Sequence, residues 1–132
     1  MDRDVIMVGW TPTPQGEAAV EAAVAEAGRR DGVLHVVNAS SGDAYVDSKI
    51  ASSDQLAALR DRLAGQGVEH EVVQQVGRLE PAEEILDAAD RLGAALIVLG
   101  TRRRTPVGKL LMGSTAQRVL LQATCPVLCV KA

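Results

Sequence analysis

An alternation of strand-like runs with helix-like segments limits the folds open to this 132-residue chain more than any other feature. Most of the five runs are continuously apolar and contain β-branched residues, as strands buried on both faces do. Strands that alternate with helices form a parallel sheet through right-handed crossovers. The sequence therefore predicts an α/β three-layer sandwich, a five-stranded parallel sheet with helices on both faces, in one domain over residues 1–132. The predicted strands are Val5–Trp10, Gly32–Ala39, Glu69–Val76, Ala95–Gly100 and Pro126–Lys131.

Capping residues predict where the four intervening helices begin and end. A proline at the first helical position starts two of them, at Pro14 and Pro81. A serine followed three residues later by glutamine, the pattern of a capping box, starts the others at Ser52 and Ser114. Glycines are typical of helix ends. Those that follow the first three helices are Gly28, Gly65 and Gly93.

Two of the predicted strands have the character of sheet edges. Glu69–Val76 is more polar than the others, and Pro126–Lys131 is short and apolar on both faces. An exposed apolar edge strand offers unpaired backbone groups to another chain and is normally covered. We therefore expect the last strand to take part in an interface.

Composition excludes several functions. A net charge of −3 and an aromatic content of 2% disfavour nucleic-acid binding. Two cysteines, Cys125 and Cys129, are too few for a disulfide framework or a zinc site, so we expect reduced thiols in the core or at an interface. We see no signal peptide, and no run approaches the roughly 18 apolar residues that a membrane span needs. We expect a cytoplasmic protein.

The segment GTRRRTPVGKLLMGSTAQRV, residues 100–119, is the strongest candidate for a ligand site. In a doubly wound sheet the ligand crevice lies beyond the carboxyl ends of the strands, where the strand order reverses. If the first and fourth strands are neighbours, the loops Thr11–Gly16 and Thr101–Met112 face that crevice. Gly113-Ser114 then starts a helix, where free N–H groups and the helix dipole favour an anion. The Ser114 hydroxyl could cap this helix or bond a phosphate oxygen.

The same segment resembles a motif of the universal stress protein family, G-x2-G-x9-G-[ST], found after the fourth strand of its nucleotide-binding members. Here the motif positions are Gly100, Arg103, Gly113 and Ser114, followed by Thr115. The similarity covers nearly the whole chain, through VIMVGWTPTPQGEAAVEAAV, VGRLEPAEEILDAADRLGAALIVLGT and CPVLCVK.

The resemblance implies an adenine nucleotide alpha hydrolase-like fold with strand order 3-2-1-4-5. It also implies a stress-response role, with ATP or AMP as the ligand and magnesium accompanying ATP. A homodimer would form about the last strand. The dimer residues would be Val127, Leu128, Cys129 and Val130.

Two positions depart from the family pattern. Thr11 stands where binding members place an acidic residue that reaches the nucleoside, and Arg103 replaces the second glycine. Arginine fills space and disfavours positive φ, yet Arg102–Arg104 and Lys109 could grip phosphate oxygens with side chains. This basic run is either an anion-binding loop or a solvated one. The chain is accordingly a nucleotide-binding member, or a member that works without ATP as a dimeric module for an unknown protein partner.

Catalysis is not expected. No nucleophile, base and orienting acid can be assembled at the strand ends. His35 and His70 fall within strands, where structural or surface roles are expected, and Trp10 is expected to be partly buried at a strand end. The first-strand loop lacks G-x-G-x-x-G, which argues against a dinucleotide-binding domain.

Overall fold

Strands and helices alternate throughout the part of the chain that the structure describes, residues 3–40, 50–77, 79–101 and 113–132 of a computed structural model. The strands are β1 (Val5–Gly9), β2 (Val33–Ser40), β3 (His70–Val76), β4 (Leu96–Thr101) and β5 (Val127–Lys131). The helices are α1 (Pro14–Arg30), α2 (Ser53–Gly65), α3 (Pro81–Leu92) and α4 (Ser114–Gln122).

The five strands form one parallel sheet in the order β3-β2-β1-β4-β5. β1 lies at the centre, with Ile6 paired to Leu34 of β2 on one side and to Leu96 of β4 on the other. This order confirms the predicted fold, with β3 and β5 at the two edges. β2 and β3 lie on one side of β1, and β4 and β5 lie on the other, so the strand order reverses between β1 and β4. The crevice of a doubly wound fold opens at this point.

Alternate residues of the strands build two separate cores, one on each face. Ile6 and Val8 face the layer of α1 and α2, while Met7 between them faces the layer of α3 and α4. All three are fully buried. Small residues of α1, such as Ala19 and Ala23, let that helix lie close to the sheet. The chain thus forms the predicted three layers without a phenylalanine.

Helix starts follow the capping chemistry in three cases. The Ser52 hydroxyl accepts the Gln55 N–H at 3.1 Å, and the Gln55 side chain accepts the Ser52 N–H at 2.8 Å, which confirms that capping box. Thr13 caps α1 by accepting the Gly16 N–H at 3.2 Å. Pro81 is the first residue of α3.

The fourth helix begins at Ser114, as predicted, but the predicted capping box between Ser114 and Gln117 is not formed. Gly113 is the N-cap of α4 and Ser114 is already helical, because the extended backbone that precedes a helix ends at Gly113 (φ −67°, ψ 159°). The Ser114 hydroxyl therefore makes no capping bond.

Three smaller expectations also differ from the structure. α1 runs past Gly28 to Arg30, because Asp31 supplies the left-handed residue (φ 50°) that ends it. Gly65 is the last residue of α2 rather than its cap. The sequence also predicts that Val119 and Leu120 both face inward from the last helix, but only Val119 is buried and Leu120 is 40% exposed, since α4 covers the sheet with a narrow face.

His35 is a buried polar group on the α3 side of the sheet, with Nδ1 3.8 Å from Glu71 Oε2. Burial lowers the pKa of His35 because the charged form loses water; Glu71 opposes this shift and Arg91 adds to it. Protonating His35 is therefore harder in the folded protein than in the unfolded chain. The resulting stability is present above the ordinary pKa of 6.5 and is lost as pH falls through the folded-state pKa.

Replacing His35 with glutamine should make stability less dependent on pH. Between about pH 7.5 and about pH 5, the wild type should lose more free energy of unfolding than His35→Gln, by about 1.4 kcal/mol for each unit of pKa shift. Urea unfolding at both pH values measures the difference. The variant His70→Gln measures the contribution of the other histidine. If the wild type and His35→Gln lose the same free energy of unfolding between the two pH values, His35 is not the source of the pH dependence.

Candidate functional site

A cavity of about 340 Å³ opens at the carboxyl ends of β1 and β4, in the crevice that the strand order creates. The starts of α1, α3 and α4 converge on it. Its apolar lining includes Val37, Ala39, Ile85 and Leu99. The cavity combines an apolar surface with backbone groups at helix starts, as small-molecule sites do.

The structure brings together five of the six site residues predicted from the sequence. All five line this cavity; they are Thr11, Gly100, Gly113, Ser114 and Thr115. Arg103 lies outside the described residues, as do Arg102, Arg104 and Lys109.

The start of α4 presents backbone donors to the cavity. The first bond within this helix runs from the Gln117 N–H to the Gly113 carbonyl, at 3.1 Å. The N–H groups of Ser114, Thr115 and Ala116 precede that bond, so they have no acceptor within the helix, and all three residues line the cavity. With the positive end of the helix dipole beside them, these donors favour an anion.

The other two helix starts at the cavity offer fewer donors. In α1 the Gly16 N–H already donates to the Thr13 hydroxyl. α3 begins with Pro81, which has no N–H. Of the described helices at the cavity, α4 is therefore the one best suited to bind a negative group.

Gly100 and Gly16 allow the backbone segments around the cavity to touch. A Cβ on Gly100 would overlap the Gln15 carbonyl oxygen, and a Cβ on Gly16 would overlap the Thr11 carbonyl oxygen. The first glycine of the sequence motif thus has a packing role, joining the end of β4 to the start of α1. Sequence reasoning assigned Gly100 to the ligand and missed this contact.

Gly113 is in a different situation. Its φ of −67° suits any residue, and no described atom outside its chain neighbours lies within 4 Å of the position a Cβ would take. Neither backbone conformation nor packing within the described ranges requires a glycine here. No described residue fills the space beside the first amides of α4.

Thr11 is held by its neighbours on the loop after β1. Its hydroxyl oxygen lies 2.7 Å from that of Thr13, and its carbonyl accepts the Thr13 N–H at 2.8 Å. Since Thr13 also caps α1, the Thr11 hydroxyl belongs to a short chain of bonds that fixes the loop. It offers the cavity one shared hydroxyl and no charge.

Trp10 is more fully buried than expected, with 3% of its surface exposed. It belongs to the core beneath α1 and α2, and its Nε1 donates to Glu17 Oε1 at 3.2 Å, which satisfies its polar atom inside that layer. Trp10 also lines the cavity, and it is the chain's one tryptophan.

Asn38 holds Trp10 in place, a role that sequence reasoning missed. Its amide donates to the Trp10 carbonyl at 2.9 Å, and its oxygen accepts the Ala51 N–H at 3.0 Å and the Gln74 amide at 2.9 Å. Asn38 is 1% exposed. The signal available in the sequence was an asparagine inside the apolar run VLHVVNA.

Charged groups are scarce in the described lining, where Glu80 is the one ionisable side chain. His35 and His70 are not among the cavity's lining residues. Within residues 3–40, 50–77, 79–101 and 113–132, no three His, Cys, Asp or Glu side chains cluster as metal ligands would. None of the helices there is long and apolar enough to cross a bilayer.

These features define a doubly wound α/β protein with a cavity for a small molecule at its topological switch point. The model of the universal stress protein family matches residues 3–131, and the chain belongs to that family. The family and the fold inferred from the sequence are both confirmed.

Three relatives show how close the similarity is. A universal stress protein of Mycolicibacterium smegmatis is 49% identical over 127 residues, which cover 96% of this chain and 97% of the relative. The solved universal stress protein of Archaeoglobus fulgidus is 30% identical, with a TM-score of 0.80 over 99% of this chain and 100% of that one. A structure from the same organism in complex with dAMP is 27% identical, with a TM-score of 0.73 and the same coverage.

Proposed function

We propose that this chain binds an adenine nucleotide, ATP or AMP, and serves in the stress response as a regulatory module. The observation that carries the proposal is the row of backbone N–H groups of Ser114, Thr115 and Ala116 along the cavity. A phosphate would accept from these amides, and the apolar side chains would contact a base. The dAMP complex of a relative supports the same ligand class.

The phosphate end would supply most of the affinity. Thr11 offers an uncharged, shared hydroxyl where binding relatives are expected to carry an acid, so the contact to the nucleoside there is weaker. Magnesium would accompany ATP, because it binds through phosphate oxygens rather than through a protein cage.

We infer a binding role and no catalysis, in the cytoplasm. Among the described lining residues, serine and threonine hydroxyls stand beside one carboxylate, that of Glu80, and the two histidines lie elsewhere. A nucleophile without a neighbouring base is not activated.

Titration of the purified protein with AMP, and with ATP in the presence and absence of magnesium, tests the proposal. We expect saturable micromolar binding by calorimetry, with a change in Trp10 fluorescence because this residue is among those that line the cavity. At a ligand concentration one hundred times Kd, the free energy of unfolding should rise by about 2.7 kcal/mol. The proposal would be contradicted if millimolar ATP produced no heat of binding and no shift in the thermal unfolding midpoint.

A second function, a dimeric module that works without ATP, is favoured by the exposed edge of the sheet. Leu128 of β5 is 37% exposed. β5 pairs with β4 on one side, which leaves its other backbone edge unpaired within the described chain. We propose a homodimer about Val127, Leu128, Cys129 and Val130, which could present a surface to a protein partner.

Replacing Leu128 with lysine should convert dimers into monomers, because a charge at this edge opposes strand pairing. Light scattering coupled to size exclusion measures the mass. The matched variant Leu121→Lys tests α4 instead of β5 and should leave the dimer intact. A wild type that is already monomeric, or a Leu128→Lys variant with unchanged dimer mass, would contradict the proposed interface.

A further inference from the structure

Glu80, the one acidic residue of the described cavity lining, differs from its neighbour Glu83. It lines the cavity, and its side chain makes no capping bond to α3 and no hydrogen bond or ion pair with the described residues. Glu83, three residues further along the chain, instead forms an ion pair with Arg118, with Oε1 3.1 Å from the Arg118 Nη1. A carboxylate without a partner among the described residues, at the edge of a ligand cavity, is available to accept hydrogen bonds from a ligand.

The cavity therefore has two chemically opposite sets of groups. The amides at the start of α4 are donors, whereas an ionised Glu80 can only accept. A phosphate near Glu80 would be repelled, so the phosphate belongs with Ser114 and Thr115, and a different part of the ligand must meet Glu80. That part has to carry O–H or N–H groups.

We propose that Glu80 determines ligand specificity by accepting hydrogen bonds from the nucleoside part of the ligand. This inference rests on the proposed nucleotide site. The Thr11 hydroxyl is shared with Thr13, so Glu80 is the charged acceptor that the described lining provides. Sugar hydroxyls and a base amino group share the required chemistry. The site would select phosphate compounds that carry such donors over phosphates that carry none.

Comparing AMP with inorganic pyrophosphate tests this role. Glu80→Ala should weaken AMP binding by about tenfold or more, as expected for a lost hydrogen bond to a charged group. Pyrophosphate brings no nucleoside, so its Kd should stay the same or fall as repulsion is removed. Glu80→Gln, which keeps a carbonyl acceptor, should bind AMP with an intermediate Kd. Ribose 5-phosphate identifies which group donates to Glu80. If Glu80→Ala binds it as much more weakly as it binds AMP, the sugar hydroxyls are the donors; if its affinity is unchanged, the donor is on the base.

The control variant is Glu83→Ala, which removes the same charge from the same helix turn outside the cavity lining. Its AMP affinity should match the wild type. If Glu80→Ala changes the Kd of AMP and pyrophosphate by the same factor, or changes neither, the specificity role is overturned while the nucleotide site stands. If the wild type binds neither compound, the proposed function fails as well.

Discussion

Replacing Gly100 with alanine should lower the free energy of unfolding by about 3 kcal/mol or more. The added Cβ would overlap the Gln15 carbonyl oxygen and approach Gln15 Cβ to 3.0 Å. A backbone carbonyl at the start of a helix cannot rotate away as a side chain can, so β4 or α1 must shift. Urea denaturation measures the loss of free energy of unfolding, and the dependence of that free energy on urea concentration should be unchanged.

Gly28→Ala is the matched control for this substitution. Gly28 is exposed on α1, and a Cβ there would meet nothing within 4 Å among the described residues. Alanine is the better helix former, so this variant should be more stable than the wild type by about 0.5–1 kcal/mol. A Gly100→Ala protein as stable as the wild type would show that β4 and α1 are not in backbone contact.

Replacing Gly113 with valine should abolish nucleotide binding and leave the fold intact. The backbone at Gly113 has an extended conformation that β-branched residues adopt readily, and no described neighbour crowds its Cβ position. The valine side chain would occupy space beside the Ser114 N–H that no described residue fills and that a phosphate needs. Losing hydrogen bonds to a charged group should raise Kd by more than tenfold.

Calorimetry with AMP and thermal unfolding together check the Gly113→Val prediction. The midpoint of unfolding should stay close to the wild-type value, because no capping bond is lost at this position. Gly113→Ala, with a smaller side chain, should retain part of the affinity. Wild-type affinity in the valine variant would mean that the ligand does not approach the start of α4.

The fold could be predicted from the sequence because buried parallel strands appear as apolar runs. β1, β2 and β4 are such runs, and prolines and a capping box marked three of the four helix starts. Helix ends were less predictable, since Asp31 adopts the left-handed conformation more often found in glycine. Ser114 was wrongly predicted to cap α4, because it satisfied the capping pattern while Gly113 already provided the extended residue before the helix.

The candidate site was predictable only where a linear motif describes it. The motif led to Gly113 and Ser114, which line the cavity. The packing role of Gly100, the buried bonds of Asn38 and the position of Glu80 depend on segments distant in sequence meeting at the strand ends. No local pattern encodes such meetings.

The backbone contacts of Gly100 with Gln15 and of Gly16 with Thr11 mean that one side of the cavity is assembled when the protein folds. An incoming ligand does not need to order these segments, so their conformational entropy is not lost again on binding. The ligand meets a surface whose shape is already set. The entropy lost on association is then that of the ligand and of the parts of the chain outside these contacts.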